Sequence, residues 1–393
     1  AVGTQPIGVA VDSTLHLAVV ANRGSGTVSI VDLTRLAVTA TLAVGSEPLG
    51  VDINPHTHVA AVTNSLTGTL TLVDLNSQTL LGNPLAVAAQ PGAVALHPAT
   101  NVAVAADAVA GTVTRVDVGD TATFKNFTLS FISPHSTAPS GGSGGSLDIR
   151  ANGTGYQSSN NVAYGDLPLS STLANAGRLV GTLPFTAFSA VSAEAVTVVD
   201  TGTNRRTNAV GFRVEKSVAV GRGPTGIAVN PHSQLGIVVN GLESNASVLD
   251  LVTGTVRSTI SLQASSSPAG VAINPFNNVA VITLAARNQA AVVDLITASQ
   301  ISTINVGSDP RGVALNPITN VAVVTNAGAN TVSVIQLGTG QVATIGDGIQ
   351  VAPSAVAINT VTNQAVVVNN GSSSVSVIDL AASPPAVIGT PIP

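Results

Sequence analysis

The stretch "GSDPRGVALNPITNVAVVTNAGANTVSVIQL", Gly307 to Leu337, nearly repeats "GSEPLGVDINPHTHVAAVTNSLTGTLTLVDL", Gly45 to Leu75. A chain that repeats itself at a fixed period is confined to folds built from one small unit stacked on copies of itself. The proline ahead of each apolar "G-V-A"-like run serves as an anchor. These prolines are Pro6, Pro48, Pro91, Pro224, Pro268, Pro310 and Pro353, and the successive spacings are 42, 43, 133, 44, 42 and 43 residues. The pattern therefore has seven copies. The one long interval implies an insertion of about 90 residues in the third copy.

Each copy carries four short phrases. The first is an apolar run such as Gly312–Leu315, closed in most copies by Asn-Pro, as at Asn54-Pro55, Asn230-Pro231, Asn274-Pro275 and Asn316-Pro317. The second is of the type "NVAVVTN", Asn320–Asn326. The third is of the type "TVSVIQL", Thr331–Leu337, and in the other copies it ends in Asp32, Asp74, Asp117, Asp250, Asp294 or Asp379. The fourth resembles "STINV", Ser302–Val306. The phrases are short, rich in Val, Ile and Thr, and bounded by Gly, Asn, Asp and Pro, so they read as strands. No segment keeps a helical period. Four strands in roughly 43 residues is the period of a propeller blade. The expected fold is all-β, a seven-bladed β-propeller of four-stranded blades. In "NVAVVTN", Val321 and Val323 fall on one face and Ala322 and Val324 on the other, so large and small side chains can meet between blades. The terminal Asp of the third phrase reads as a turn residue that caps backbone N–H groups.

Composition narrows the function. Charged residues are 8% and aromatics 2% of the chain, with a net charge of −5. No basic stripe is available to neutralise phosphates, so nucleic acid is not an expected partner. No apolar run reaches membrane-spanning length. With no cysteine, disulfides, thiolate metal sites and cysteine nucleophiles are all excluded. The chain begins at Ala1, not Met, and removal of a secretory signal peptide is the expected cause. A Ser/Thr/Asn-rich surface fits an extracellular or cell-surface location.

The repeat resembles the YVTN family of β-propeller repeats, found mainly in surface and secreted proteins of bacteria and archaea. The phrase behind that name appears as "AVTN" (Ala61–Asn64) and "VVTN" (Val323–Asn326), with variants "VVAN" (Val19–Asn22) and "IVVN" (Ile237–Asn240). The resemblance implies a fold; it names no activity. Domain bounds follow from it: residues 1–118 form blades one to three (first part), 119–215 an inserted domain, and 216–393 the end of blade three and blades four to seven. The insert lies between the third and fourth phrases of copy three. There a hairpin tip tolerates added chain. Its phrases resemble an IPT/TIG immunoglobulin-like domain: Ile132-Ser133-Pro134, Gly141-Gly142, Gly153-x-Gly155-Tyr156, Val162-x-Tyr164-Gly165, Leu183-Pro184 and Val196-Thr197-Val198. Six or seven strands are expected in it. Its "SGGSGGS", Ser140–Ser146, is read as a loop, because no Lys follows in the manner of a phosphate loop.

Catalytic signals are sparse. The histidines His16, His56, His58 and His232 fall on the turn after the first phrase of their copies. Turns on separate blades do not converge as metal ligands must, so no metal and no cofactor are expected. The charged residues at the start of the innermost strands are Glu47, Arg222, Asp309 and Arg311. They are the candidate ligand contacts at one mouth of the central channel. The expected function is a non-enzymatic extracellular scaffold or interaction protein, with another protein or another copy of itself as partner. Filament or surface-layer assembly is one version of that reading. The alternative is a propeller enzyme or small-ligand binder at the channel mouth, using those four residues.

Overall fold

The computed structural model describes residues 1–98, 101–118, 128–135, 146–154, 160–164, 167–168, 170–175, 178–184, 196–200, 205–206 and 217–393. The chain divides into two compact units, Ala1–Arg115 with Ser217–Pro393, and Val116–Lys216.

The first unit is a seven-bladed β-propeller. Each blade is a four-stranded antiparallel sheet with its strands in chain order from the inside outward. Blade two is representative, with strands Pro48–Asn54, Val59–Asn64, Thr69–Asp74 and Thr79–Ala86. All seven innermost strands begin on an anchor proline: Pro6–Asp12, Pro48–Asn54, Pro91–His97, Pro224–Asn230, Pro268–Asn274, Pro310–Asn316 and Pro353–Asn359. Proline lacks the N–H a ladder requires, so it fits at a strand's first residue and sets the register there. Blade three closes with a short fourth strand, Ser217–Ala219, paired with Thr112–Asp117 across the insertion.

The core lies between blades. Val321 and Val323 pack with Val356, Ile358, Ala365 and Val367 of blade seven. Ala322 and Val324 pack on the other side with Val281 and Ala290 of blade five. Period-two alternation thus feeds two interfaces from one strand. The second strands are buried throughout in four blades, as in Val59–Asn64 and Val321–Asn326, and in all but their first residue in the other three. Where blades seven and one meet, Val366, Val368, Val375, Val377 and Ile392 pack on Val2, Ala18, Val20, Val31 and Leu33. All four strands of blade seven, ending with Ala386–Ile392, come from the C-terminal part of the chain, so the ring closes by packing rather than by a shared sheet. Val2 adds one bond, its N–H donating to the Pro393 carbonyl.

The second unit contains two four-stranded sheets. In one, Thr128–His135, Ser146–Thr154, Arg178–Pro184 and Ser170–Asn175 follow each other. In the other the order is Leu167–Pro168, Asn160–Tyr164, Val196–Asp200 and Arg205–Arg206. Most of the glycine-rich "SGGSGGS" loop and the phrase "NAVGFRV" (208–214) lie outside the described residues.

Candidate functional site

Three polar devices recur in the blades, and the first two join neighbouring blades. The first sits at the end of the innermost strand. Asn54 accepts the His56 N–H at 2.9 Å and donates to Asn101 Oδ1 of the next blade at 2.8 Å. Asn230 donates to Asn278 (2.9 Å), Asn274 to Asn320 (3.4 Å) and Asn316 to Asn363 (2.8 Å). Histidine takes part at the other seams. His58 Nδ1 lies 2.7 Å from the fully buried Asp12 carboxylate, His16 Nδ1 lies 3.0 Å from Asn359 Nδ2, and His97 bonds Gln234. A side-chain latch therefore crosses all seven seams. The receiving residues His16, His58, Asn101, Gln234, Asn278, Asn320 and Asn363 all have positive φ, between 53° and 58°. His56 and His232 are exposed on their turns, whereas His16 and His58 are half-buried in latches. The Asp12 carboxyl is held below the usual range. Burial opposes this, and bonds from Thr14, His58 and Leu15 outweigh it.

The second device is formed by the Thr near the end of three second strands, Thr63, Thr283 and Thr325, and by the Asn that closes several of them. Thr63 Oγ1 accepts the Gly50 N–H at 2.9 Å and donates to the Gly92 carbonyl of blade three. Thr283 does the same with Gly270 (2.8 Å) and Arg311 (2.7 Å). Asn64 Nδ2 donates to Thr69 and Thr71 within its own blade. Gly50 is required where the innermost strands come close: a methyl there would stand 2.5 Å from the Gly92 oxygen. The third device is the third-strand Asp, which caps its turn. Thr34 and Arg35 donate to Asp32, Asn76 to Asp74, and Val252 and Thr253 to Asp250.

The four charged candidates at the starts of the innermost strands each have a near partner. Glu47 pairs with Arg23 of blade one at 3.0 Å, and Arg222 with Glu243 at 3.2 Å. Asp309 and Arg311 pair with each other at 2.8 Å, the only two of the four brought together. Gln5, Arg23, Glu47 and the glycines 24, 26 and 45 line an open depression of about 610 Å³ between blades one and two. Among the described residues no group of three or more His, Cys, Asp or Glu side chains could hold a metal ion.

One group on the innermost strands stands apart. The third place of the "G-V-A" phrase is alanine in six blades, at Ala10, Ala95, Ala228, Ala272, Ala314 and Ala357. In blade two it is Asp52. Its Oδ1 accepts the Ile53 N–H at 2.9 Å, and its Oδ2 accepts the Leu96 N–H of blade three at 2.6 Å. Desolvation pushes its pKa up to about 6 against the pull of those two bonds. Asp52 keeps some accessible surface, yet dense protein surrounds its carboxylate. Aligned on the anchor prolines, the seven phrases expose this exception, but a search for paired carboxylates passes over a single Asp.

No protein-family model and no curated protein sequence matches the chain. Among solved structures it is similar to Kuenenia stuttgartiensis hydrazine synthase, with 14% identity, a TM-score of 0.61 and 95% of each chain covered. At that identity the likeness shows the fold alone. No helix among the described residues is long and apolar enough to cross a membrane.

Proposed function

We propose that this chain is a non-enzymatic interaction protein of the cell surface or extracellular space. In this reading the propeller is a rigid platform and the inserted segment is the partner-binding module. The observation that carries it is the complete set of seven latches. Side-chain bonds at every seam make the ring stiff, and a stiff ring can hold about 100 inserted residues in one hairpin without losing its blade order. The YVTN-like phrases and the IPT/TIG-like phrases of the insert support the same assignment, since such modules recur in surface proteins. The partner is a protein, either another copy of this chain or a second species. With charged residues at 8%, copies repel one another weakly. Exposed outer strands of the blades can accept a neighbour's strand. Filament or surface-layer assembly is the version that follows. Negative-stain electron microscopy of the full chain over a range of concentrations tests it, with ordered filaments or sheets expected. Single particles at the highest concentration would remove self-assembly.

A further inference from the structure

We propose that two copies of this chain pair face to face through an apolar arc on blades four to seven, centred on Phe276 and Ile318. The inference names a surface for the self-association reading above and rests on it. The arc lies on the turns between first and second strands. Two residues after the one that closes the innermost strand, blades one and two place Thr14 and His56. Blades four to seven place His232, Phe276, Ile318 and Val361 there, so the turn itself requires no apolar residue. Each of these four donates its backbone N–H to the closing Asn, which fixes the turn. The side chains are left outside: Phe276, Ile318 and Val361 are 68%, 72% and 67% exposed. The latches from Asn230, Asn274 and Asn316 tie each of these turns to the next. The His232 and Phe276 rings stand 5.7 Å apart. The turns after the third strands extend the same side. The Leu251 and Leu295 N–H groups donate to the Gln234 and Asn278 carbonyls, and the next residues, Val252 and Ile296, are 72% and 50% exposed.

Scattered apolar residues on a surface need no explanation, but a contiguous set marks an interaction site. Five side chains at this exposure present about 300–500 Å² of apolar surface, enough for the core of an interface that buries about 800 Å² on each partner. An aromatic anchor among aliphatic neighbours, with charge kept from the centre, is the make-up of such a core. Charge is sorted by side. The ion pairs of these blades, Arg222 with Glu243 and Asp309 with Arg311, lie on the side where the innermost strands begin. On the arc's side, the third-strand Asp250, Asp294 and Asp379 cap turn N–H groups. An anionic lipid surface would call for a cluster of Lys and Arg; among the described residues of these four blades, this side offers only Arg257, beside Asp250. An apolar surface poor in charge is matched by another of the same kind, and a second copy supplies it. In a two-fold pair one patch serves both partners. Turns already fixed by their own hydrogen bonds lose little freedom on pairing.

The test is sedimentation velocity of the full chain over a wide concentration range, with negative-stain images of the same samples. The wild type should pair reversibly. Phe276→Asp and Ile318→Asp, each on an exposed turn, should each raise the Kd of the pair at least about 30-fold. Their thermal midpoints should stay within about 2 °C of the wild type, which shows that the fold is intact. Leu66→Asp, at an exposed leucine on the opposite side of blade two, should leave the Kd unchanged. Pairs or filaments that form unchanged in both arc variants would overturn the proposal alone and leave self-assembly through the outer strands. A wild type that sediments only as a monomer would overturn both the proposal and the self-assembly reading. A monomer that floats with neutral phosphatidylcholine vesicles, and no longer does so in Phe276→Asp, would give the arc to a lipid surface and overturn the pair.

Discussion

At the scale of single residues, the repeat sorts structural polar groups from the exception. Asn, Thr and Asp recur because each satisfies backbone groups that a sheet edge or turn leaves open. Their roles were legible in part: the capping Asp follows from the turn after the third strand, whereas the Thr bond to the next blade depends on how closely innermost strands approach. Asp52 differs because its pKa is raised. Below about pH 4 the carboxyl is protonated in folded and unfolded chains alike. Between 4 and 6 the unfolded chain ionises first, so stability falls as pH rises through this window and stays low above it. The shift from 3.8 to about 6 corresponds to at most about 3 kcal/mol. Asp52→Ala removes that cost and leaves two N–H groups without acceptors, worth about 1 kcal/mol each. The variant should therefore gain on the wild type by up to about 1 kcal/mol at pH 8 and lose the advantage by pH 4. Urea melts across that range check it, and a difference independent of pH would show that the carboxyl is not desolvated.

At the scale of elements, strand positions followed from period and punctuation. The anchor prolines and closing asparagines mark both ends of the innermost strands, and the alternation in "NVAVVTN" assigns both interfaces. The latches could not be read this way, because five join residues 46 to 48 positions apart, while His97 and Gln234 are separated by the insertion and Asn359 and His16 by 343 positions, each through a left-handed turn. Asn316 combines two duties, capping the Ile318 N–H at 3.0 Å and donating to Asn363 at 2.8 Å. Asn316→Ala should cost about 1–3 kcal/mol. Asn316→Asp should cost less, because Asp12 already fills this place in blade one and the Asn363 amide can turn to donate. Chemical denaturation orders the three proteins, and an Asn316→Ala midpoint equal to wild type would mean that seam packing alone holds the ring.

For the whole molecule, the insertion is the one interruption of the repeat. The chain leaves blade three after Thr112–Asp117 and returns at Ser217–Ala219, where Thr112, Val113 and Thr114 pair with Ala219, Val218 and Ser217. Among the described residues its fourth strand has three residues where blade two has eight. The repeat located the break in the sequence but could say little about the inserted residues, which have no second copy to compare with. Residues of the propeller core do not depend on the insert: Val104, Ala106 and Val113 pack with Ile227, Val238 and Leu249 of blade four. Blade three is thus held from its inner strands outward. Removing residues 119–215 and closing the gap with a short Gly/Ser turn should leave one cooperative unfolding transition with a midpoint within a few degrees of the full chain. The same variant should lose assembly or partner binding if the insert is the recognising module. A shortened chain that still forms the same filaments would move that role to the propeller faces. One that no longer folds would make the insert part of the core of blade three.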